Sequence, residues 1–169
     1  WQASQRDPDR GTGRVVTTQY FDTSALIKCY VDEIGSTWVR ERVEQAAGLL
    51  VTSSLARVEV ACALARRNRE GALTPATQEE LWQAFSFDVV TTLRALRVNV
   101  DVLRMAEQLA KRHPLRAYDA VHLATALVVN QSLVPRGVPA LTFLSADSRL
   151  LEFARLEGMA VENPLDHPN

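Results

Sequence analysis

Four acidic residues, Asp22, Glu59, Asp119 and Asp147, sit where local pattern or chemistry singles them out. Glu59 lies in Leu55-Ala-Arg-Val-Glu-Val-Ala-Cys-Ala-Leu64, with Leu55 and Cys62 as its helical neighbours at minus four and plus three. Asp119 interrupts the stripe formed by Leu115, Leu123 and Ala126. A carboxylate on a core-facing stripe costs several kcal/mol or takes up a proton, so each needs a base, water or a cation. A buried pair with an Arg, or with His122 one turn from Asp119, is one solution. Asp22 and Asp147 follow strand-like segments and could each cap a helix, worth about 1 kcal/mol. If all four meet, their mutual repulsion must be offset by something strongly positive. Oxygen donors without a paired His or Cys suit a hard cation, Mg²⁺ or Mn²⁺, rather than zinc. Such an ion activates water and neutralises charge on a phosphate, the chemistry of metal-dependent phosphodiester hydrolysis.

The elements that must carry these acids alternate along the chain. Val15–Phe21 reads as a strand, ending at Asp22-Thr23-Ser24 ahead of a helix over Ala25–Tyr30. Gly35-Ser36 opens a helix to about Ala47, Leu49–Thr52 is a short strand, and Ser53-Ser54 caps a helix running to Arg69 and stopped by Gly71. Pro75 after Thr74 starts another helix. Leu96–Val100 reads as a strand, Asp101–Arg112 and Leu115–Asn130 as helices, Ala140–Leu144 as a strand, Asp147–Leu156 as a helix and Met159–Val161 as a last strand. Short apolar strands alternating with helices predict a three-layer α/β domain with a mostly parallel central sheet, since parallel strands need helical crossovers covering both faces. Function in such sheets gathers beyond the carboxyl ends of the strands.

Composition narrows the rest. The 169 residues carry 47% hydrophobic and 23% charged residues, as expected of one soluble domain with a real core. Nineteen basic against twenty acidic residues leave a net charge of −1, so a polyanion must be met locally rather than by bulk charge. Seventeen of the nineteen are Arg, a bias that suits bidentate phosphate contacts and equally suits genomic base composition. Apolar runs fall well short of the roughly 18 residues of a membrane span, and no leader pattern opens the chain. Cys29 and Cys62 form no Cys-x-x-Cys pair, which fits a reducing, cytoplasmic setting. Residues 1–14, with Asp7-Pro8-Asp9 and Gly11-Thr12-Gly13, are expected to be a disordered tail or a trimmed end, 15–164 a single domain, and 165–169 a tail. A phosphate-binding loop, a Gly-x-Ser-x-Gly elbow and an HExxH pair are all absent. His113 reads as a helix-end charge, His122 as a satisfied partner in or near the core, and His167 as part of the tail.

In four blocks the chain resembles the PIN-domain nucleases, most closely the VapC-type toxins of toxin–antitoxin pairs. Tyr20-Phe-Asp-Thr-Ser-Ala-Leu-Ile-Lys28 matches the first block, with Asp22 as its acid beside the hydroxyl pair Thr23-Ser24; Ala56-Arg-Val-Glu-Val60 matches the second with Glu59. Leu115-Arg-Ala-Tyr-Asp-Ala-Val-His-Leu-Ala-Thr-Ala126 matches the third with Asp119, and Phe143-Leu-Ser-Ala-Asp-Ser-Arg-Leu150 the fourth with Asp147. Each block alone is weak; four in order, at separations of 37, 60 and 28 residues, make a specific signal. Ser145 stands where many relatives carry Thr, and the Asn130–Pro139 loop looks long, bearing on substrate access or partner binding.

The resemblance implies a metal-dependent endoribonuclease that leaves a 5′-phosphate and a 3′-hydroxyl. It implies Mg²⁺ or Mn²⁺ as cofactor with Asp22 and Asp119 as direct ligands. Glu59 and Asp147 would complete the acidic pocket, through water or by orienting the attacking water. The implied partners are an RNA substrate, a cognate antitoxin laying basic and apolar residues into the acidic groove, and a second copy in a homodimer. Arg57, Arg66, Arg67, Arg112, Arg116 and Arg149 lie near the acidic blocks and are candidates for the RNA backbone, with solvated helix faces as the plainer reading. Two other readings stand beside the toxin: a stand-alone PIN nuclease in RNA processing or repair, and a non-catalytic binding module with structural acids. A receiver-like module is disfavoured, because Gln19-Tyr20-Phe21 precedes Asp22 where an acidic pair is needed and no Lys follows Ser145-Ala146-Asp147 at the required place.

Overall fold

A computed structural model describes residues 17–168. The expected tail over residues 1–14 lies outside them, as does the start of the first expected strand. Five strands, β1 (Gln19–Phe21), β2 (Leu50–Ser53), β3 (Leu93–Leu96), β4 (Thr142–Leu144) and β5 (Ala160–Glu162), form one sheet in the order β3-β2-β1-β4-β5. All four pairings are parallel. Seven helices are described: α1 (Thr23–Leu26), α2 (Ser36–Glu44), α3 (Ala56–Arg69), α4 (Pro75–Thr91), α5 (Val100–Arg112), α6 (Ala117–Leu133) and α7 (Ser148–Leu156).

Side chains of a strand point alternately to opposite faces, and the central strands use that alternation to build two cores. Tyr20, Val51 and Phe143 face one way, onto Val102, Ala106 and Leu109 of α5, Leu123 and Ala126 of α6, and Leu150, Leu151 and Ala154 of α7. Phe21, Leu50 and Leu144 face the other way, onto Leu26, Val39, Val60, Leu64 and Phe85 of α1 to α4. The sheet is thus sandwiched, which is why its middle strands are apolar on both sides. From β1 the chain steps outward to β2 and β3, then returns across the sheet to β4 and β5. The direction of winding therefore reverses between β1 and β4, and a crevice opens at their carboxyl ends.

Several boundaries differ from expectation for local reasons. The third strand is Leu93–Leu96, not Leu96–Val100: the Asn99 side chain accepts from the Val102 backbone N–H at 3.0 Å and starts α5 at Val100. Ser53-Ser54 does not cap α3. Leu55 holds that position without a side-chain bond, and the Ser54 N–H continues the sheet to the Leu96 carbonyl. The first helix is one α turn followed by a 3-10 turn over Ile27–Cys29, and α2 ends at Glu44. The long loop after Asn130 is largely helical, with α6 running to Leu133 and a 3-10 turn over Val134–Arg136. Residues after Pro164 are also more than a tail: Pro164–Asp166 make a 3-10 turn, and the His167 ring stacks on Trp38 of α2, centroids 4.2 Å apart.

Gly35 caps α2 with φ +84°, and a Cβ there would lie 2.2 Å from the Pro164 carbonyl oxygen. Gly71 has a similar φ of +77° with nothing within 4 Å of the same point. Left-handed backbone alone costs an alanine roughly 1–2 kcal/mol. Urea unfolding of Gly71→Ala is expected to show a loss of that size and Gly35→Ala a clearly larger one; equal losses would refute the packing of the chain end against the α2 cap.

Candidate active site at the carboxyl ends of the central strands

Asp22 leaves the end of β1 and caps α1, accepting from the Ala25 N–H at 3.0 Å. Its backbone N–H pairs with Leu144, the last residue of β4, at 3.0 Å. Ser24 Oγ donates to Oδ1 at 2.8 Å and Ser145 Oγ to Oδ2 at 2.9 Å. The Ala146 N–H, in turn, donates to Ser24 Oγ at 2.8 Å. The two strands that flank the crevice are thus stitched together by one buried carboxylate and two hydroxyls. All three donors to Asp22 are neutral. Burial raises its carboxyl above the ordinary range, opposed by the His122 charge and these hydrogen bonds.

Asp147 begins α7, with Oδ1 accepting from the Arg149 and Leu150 N–H groups at 2.9 and 3.1 Å. The helix-capping reading of Asp22 and Asp147 is therefore correct, and it leaves both at the crevice. Asp119, half-buried in the first turn of α6, shares a small cavity with Asp147, Arg116, Arg149, Pro114 and Leu115. Burial and the neighbouring Asp147 charge raise the Asp119 carboxyl, while Arg116 and His122 pull it down.

Glu59 is carried by α3 but does not interrupt a core stripe, since Cys62 is exposed and the buried face runs through Ala56, Val60 and Leu64. It turns toward α6. Glu59 Oε2 accepts from Thr23 Oγ1 and from His122 Nε2, each at 2.6 Å. Burial alone would raise this carboxyl; the His122 hydrogen bond and charge, helped by Thr23, outweigh it and hold the group below its ordinary value. The base expected one turn from Asp119 therefore pairs with the acid on another helix. On its far side His122 Nδ1 lies 2.9 Å from the hydroxyl of buried Tyr20. Spacing alone does not reveal this chain, although two of its members stand close to the acidic blocks, Tyr20 two residues before Asp22 and His122 three after Asp119.

The six arginines divide. Arg67 is bound to Glu33 at 2.9 Å, Arg112 to Glu157 at 2.9 Å, and Arg66 lies 3.9 Å from Glu70. Arg57 lies over the Trp82 ring. Arg116 and Arg149 line the cavity with Asp119 and Asp147, Arg149 donating to the Pro114 carbonyl. Among the described residues no three His, Cys, Asp or Glu side chains converge as a ready-made chelate. The four acids offer oxygen donors alone, and Asp147 Oδ2 and Glu59 Oε1 carry none of the bonds just named. That donor set fits a hard cation held by one or two carboxylates, with water completing its shell.

The opposed shifts set opposite pH dependences. Asp119 is raised, so its favourable contribution is complete below the unfolded carboxyl range and is lost as pH rises through the folded value. Glu59 is lowered, so its contribution is present above that range and lost as pH falls through the folded value. Without divalent ions at pH 7, Asp119→Asn is expected to melt above the wild type and Glu59→Gln below it. Both differences shrink on acidification through the carboxyl range; thermal melts from pH 3 to 8 test the signs.

Comparison with known proteins gives the family and the fold. The sequence model of the PIN domain matches residues 20–156. The ribonucleases VapC45 and VapC49 of Mycobacterium tuberculosis are each 34% identical over 145 residues, spanning 84% of this chain and 92% of the relative. A toxin–antitoxin complex from Klebsiella pneumoniae contains a chain with the same fold, at a TM-score of 0.60 and 18% identity, covering 86% of this chain and 97% of that one. With four strand-end and helix-borne acids at a parallel crossover and a family match across most of its length, the chain belongs to the PIN domain family.

Proposed function

We propose that this chain is a metal-dependent endoribonuclease, the toxin of a toxin–antitoxin pair, hydrolysing RNA phosphodiester bonds to a 5′-phosphate and a 3′-hydroxyl. The observation that carries the reading is the buried Asp22 carboxylate, supported by neutral donors only and joined through Ser145 to Asp147, which shares a cavity with Asp119. The names of the relatives VapC45 and VapC49 support RNA as substrate, and the Klebsiella complex supports an antitoxin partner. Asp22 and Asp119 would hold Mg²⁺ or Mn²⁺. When bound, the ion supplies charge neutralisation at the phosphate and makes water easier to deprotonate.

The protein's own groups do the rest. Ser24 and Ser145 hold the Asp22 carboxylate in one orientation, and the two N–H groups at the start of α7 do the same for Asp147. Glu59 orients the attacking water as a proton acceptor, since it stays ionised at neutral pH. Arg116 and Arg149 receive backbone phosphates beside the acids, where fixed cations align the strand. Exposed Val58, Leu103 and Tyr118, at 56%, 46% and 55%, border an apolar cleft beside the site, which suits the apolar part of an antitoxin segment. A homodimer and a cytoplasmic setting complete the proposal; the free Cys29 and Cys62 fit a reducing compartment. Among the described residues no helix is long and apolar enough to cross a membrane.

Total RNA incubated with the protein and Mn²⁺, followed by sequencing of new 5′-phosphate ends, is expected to reveal discrete cuts. Asp22→Asn and Asp119→Asn should each abolish them while remaining folded. Mn²⁺ should raise the wild-type melting temperature in EDTA-treated samples and leave that of Asp119→Asn unmoved, because a ligand of the native state stabilises by RT ln(1 + [L]/Kd). Cutting retained in both variants, or no Mn²⁺ shift in the wild type, would overturn the assignment.

A further inference from the structure

Tyr20, His122 and Glu59 form a continuous hydrogen-bonded chain from the centre of the sheet to the edge of the site. Tyr20 is fully buried in β1 and His122 is 3% exposed in α6, so neither can touch a polymeric substrate. Glu59, half-buried on α3, is the one member of the chain with its side chain open to solvent, and it is bonded to Thr23, the residue after Asp22. Its two short bonds, from Thr23 Oγ1 and His122 Nε2, fall on the same oxygen, Oε2. Two donors on one oxygen fix the carboxylate plane and leave Oε1 with neither of them. An ionised carboxylate only accepts, so the His122 proton lies on Nε2. Nδ1 lies 2.9 Å from the Tyr20 hydroxyl, a bond that sets the ring's orientation through a residue of the central strand.

Resting on the nuclease reading above, we propose that His122 is a positioning residue: oriented by Tyr20, it clamps Oε2 of Glu59 so that Oε1 faces and orients the attacking water. The clamp joins three elements distant in sequence, β1, α3 and α6, and locks a flexible glutamate that has a helix backbone and one hydroxyl as its other constraints. A merely structural histidine would stabilise the packing of α6 on α3 and leave the chemical step alone. A clamp acts on kcat, and its hydrogen bond reaches the reaction through Glu59.

Three measurements on the full chain separate these roles. In ¹⁵N-histidine spectra without metal, the His122 signal, identified by its disappearance in His122→Gln, is expected to show a protonated Nε2 that shifts in Glu59→Gln. An unprotonated Nε2 overturns the clamp. At a mapped RNA cut site with Mn²⁺, His122→Leu is expected to lower kcat about ten- to a hundredfold, the usual cost of losing an outer partner of a site group, with KM little changed. His122→Gln, whose amide can still donate to Oε2, should recover part of that loss. In a Glu59→Gln background, His122→Leu should cost nothing further, because residues that act as one unit are not additive. A folded His122→Leu protein that cuts at the wild-type rate, a Gln variant no better than Leu, or an undiminished His122 effect without Glu59 each overturns the proposal. If the wild type cuts no RNA, the nuclease reading and the catalytic half of the proposal fall together; the nitrogen spectra report the clamp independently of cleavage.

Discussion

The arrangement of the site depends on placing one carboxylate, Asp22, at the end of the middle strand, where water cannot solvate it. A buried charge must be hydrogen-bonded or lost, and the fold answers with three donors from two separate segments. Two come from the turn that follows β1, and the third, Ser145, comes from the end of β4. Satisfying Asp22 therefore also fixes how β4 ends beside β1. The Ser145 backbone and hydroxyl then set the start of α7, since Ser145 Oγ accepts from the Asp147 N–H at 3.0 Å. The position of the fourth acid follows from the bonding of the first.

Parallel strands make this economical in space. Because the winding reverses between β1 and β4, the loops after these strands diverge and leave room between them, and α3 and α6 approach that room from opposite faces of the sheet. Glu59 arrives on one helix and Asp119 on the other. They sit in contrasting surroundings: Glu59 leans on an imidazole, and Asp119 faces another acid. The same residue class is thus held in two surroundings that push its protonation in opposite directions.

Much of the plan was legible from pattern. Capping residues and apolar strands placed Asp22, Glu59, Asp119 and Asp147 on the right elements, because those signals are local. β3 was misplaced because it is an edge strand whose Arg94 hides it, while the alternation Leu96, Val98, Val100 imitates a strand across a helix start. Asn130 looked like the end of α6; its side chain instead accepts from the Leu141 N–H, tying the helix to the chain ahead of β4. The pairing of His122 was beyond local reading for a similar reason. Its nearest acid in sequence is Asp119, yet packing of α6 across the sheet from α3 hands it Glu59, 63 residues away.

The long reach between β1 and β4 also has a meaning in time. Ser145 meets Asp22 across 123 residues, and the chain emerges from the ribosome at about 5–20 residues per second. During those seconds Asp22 has no strand on its β4 side, and Asp147 does not yet exist. A half-made chain therefore carries three of the four acids without the crevice that would gather them. The acid-lined crevice is complete only once the last strands are in place.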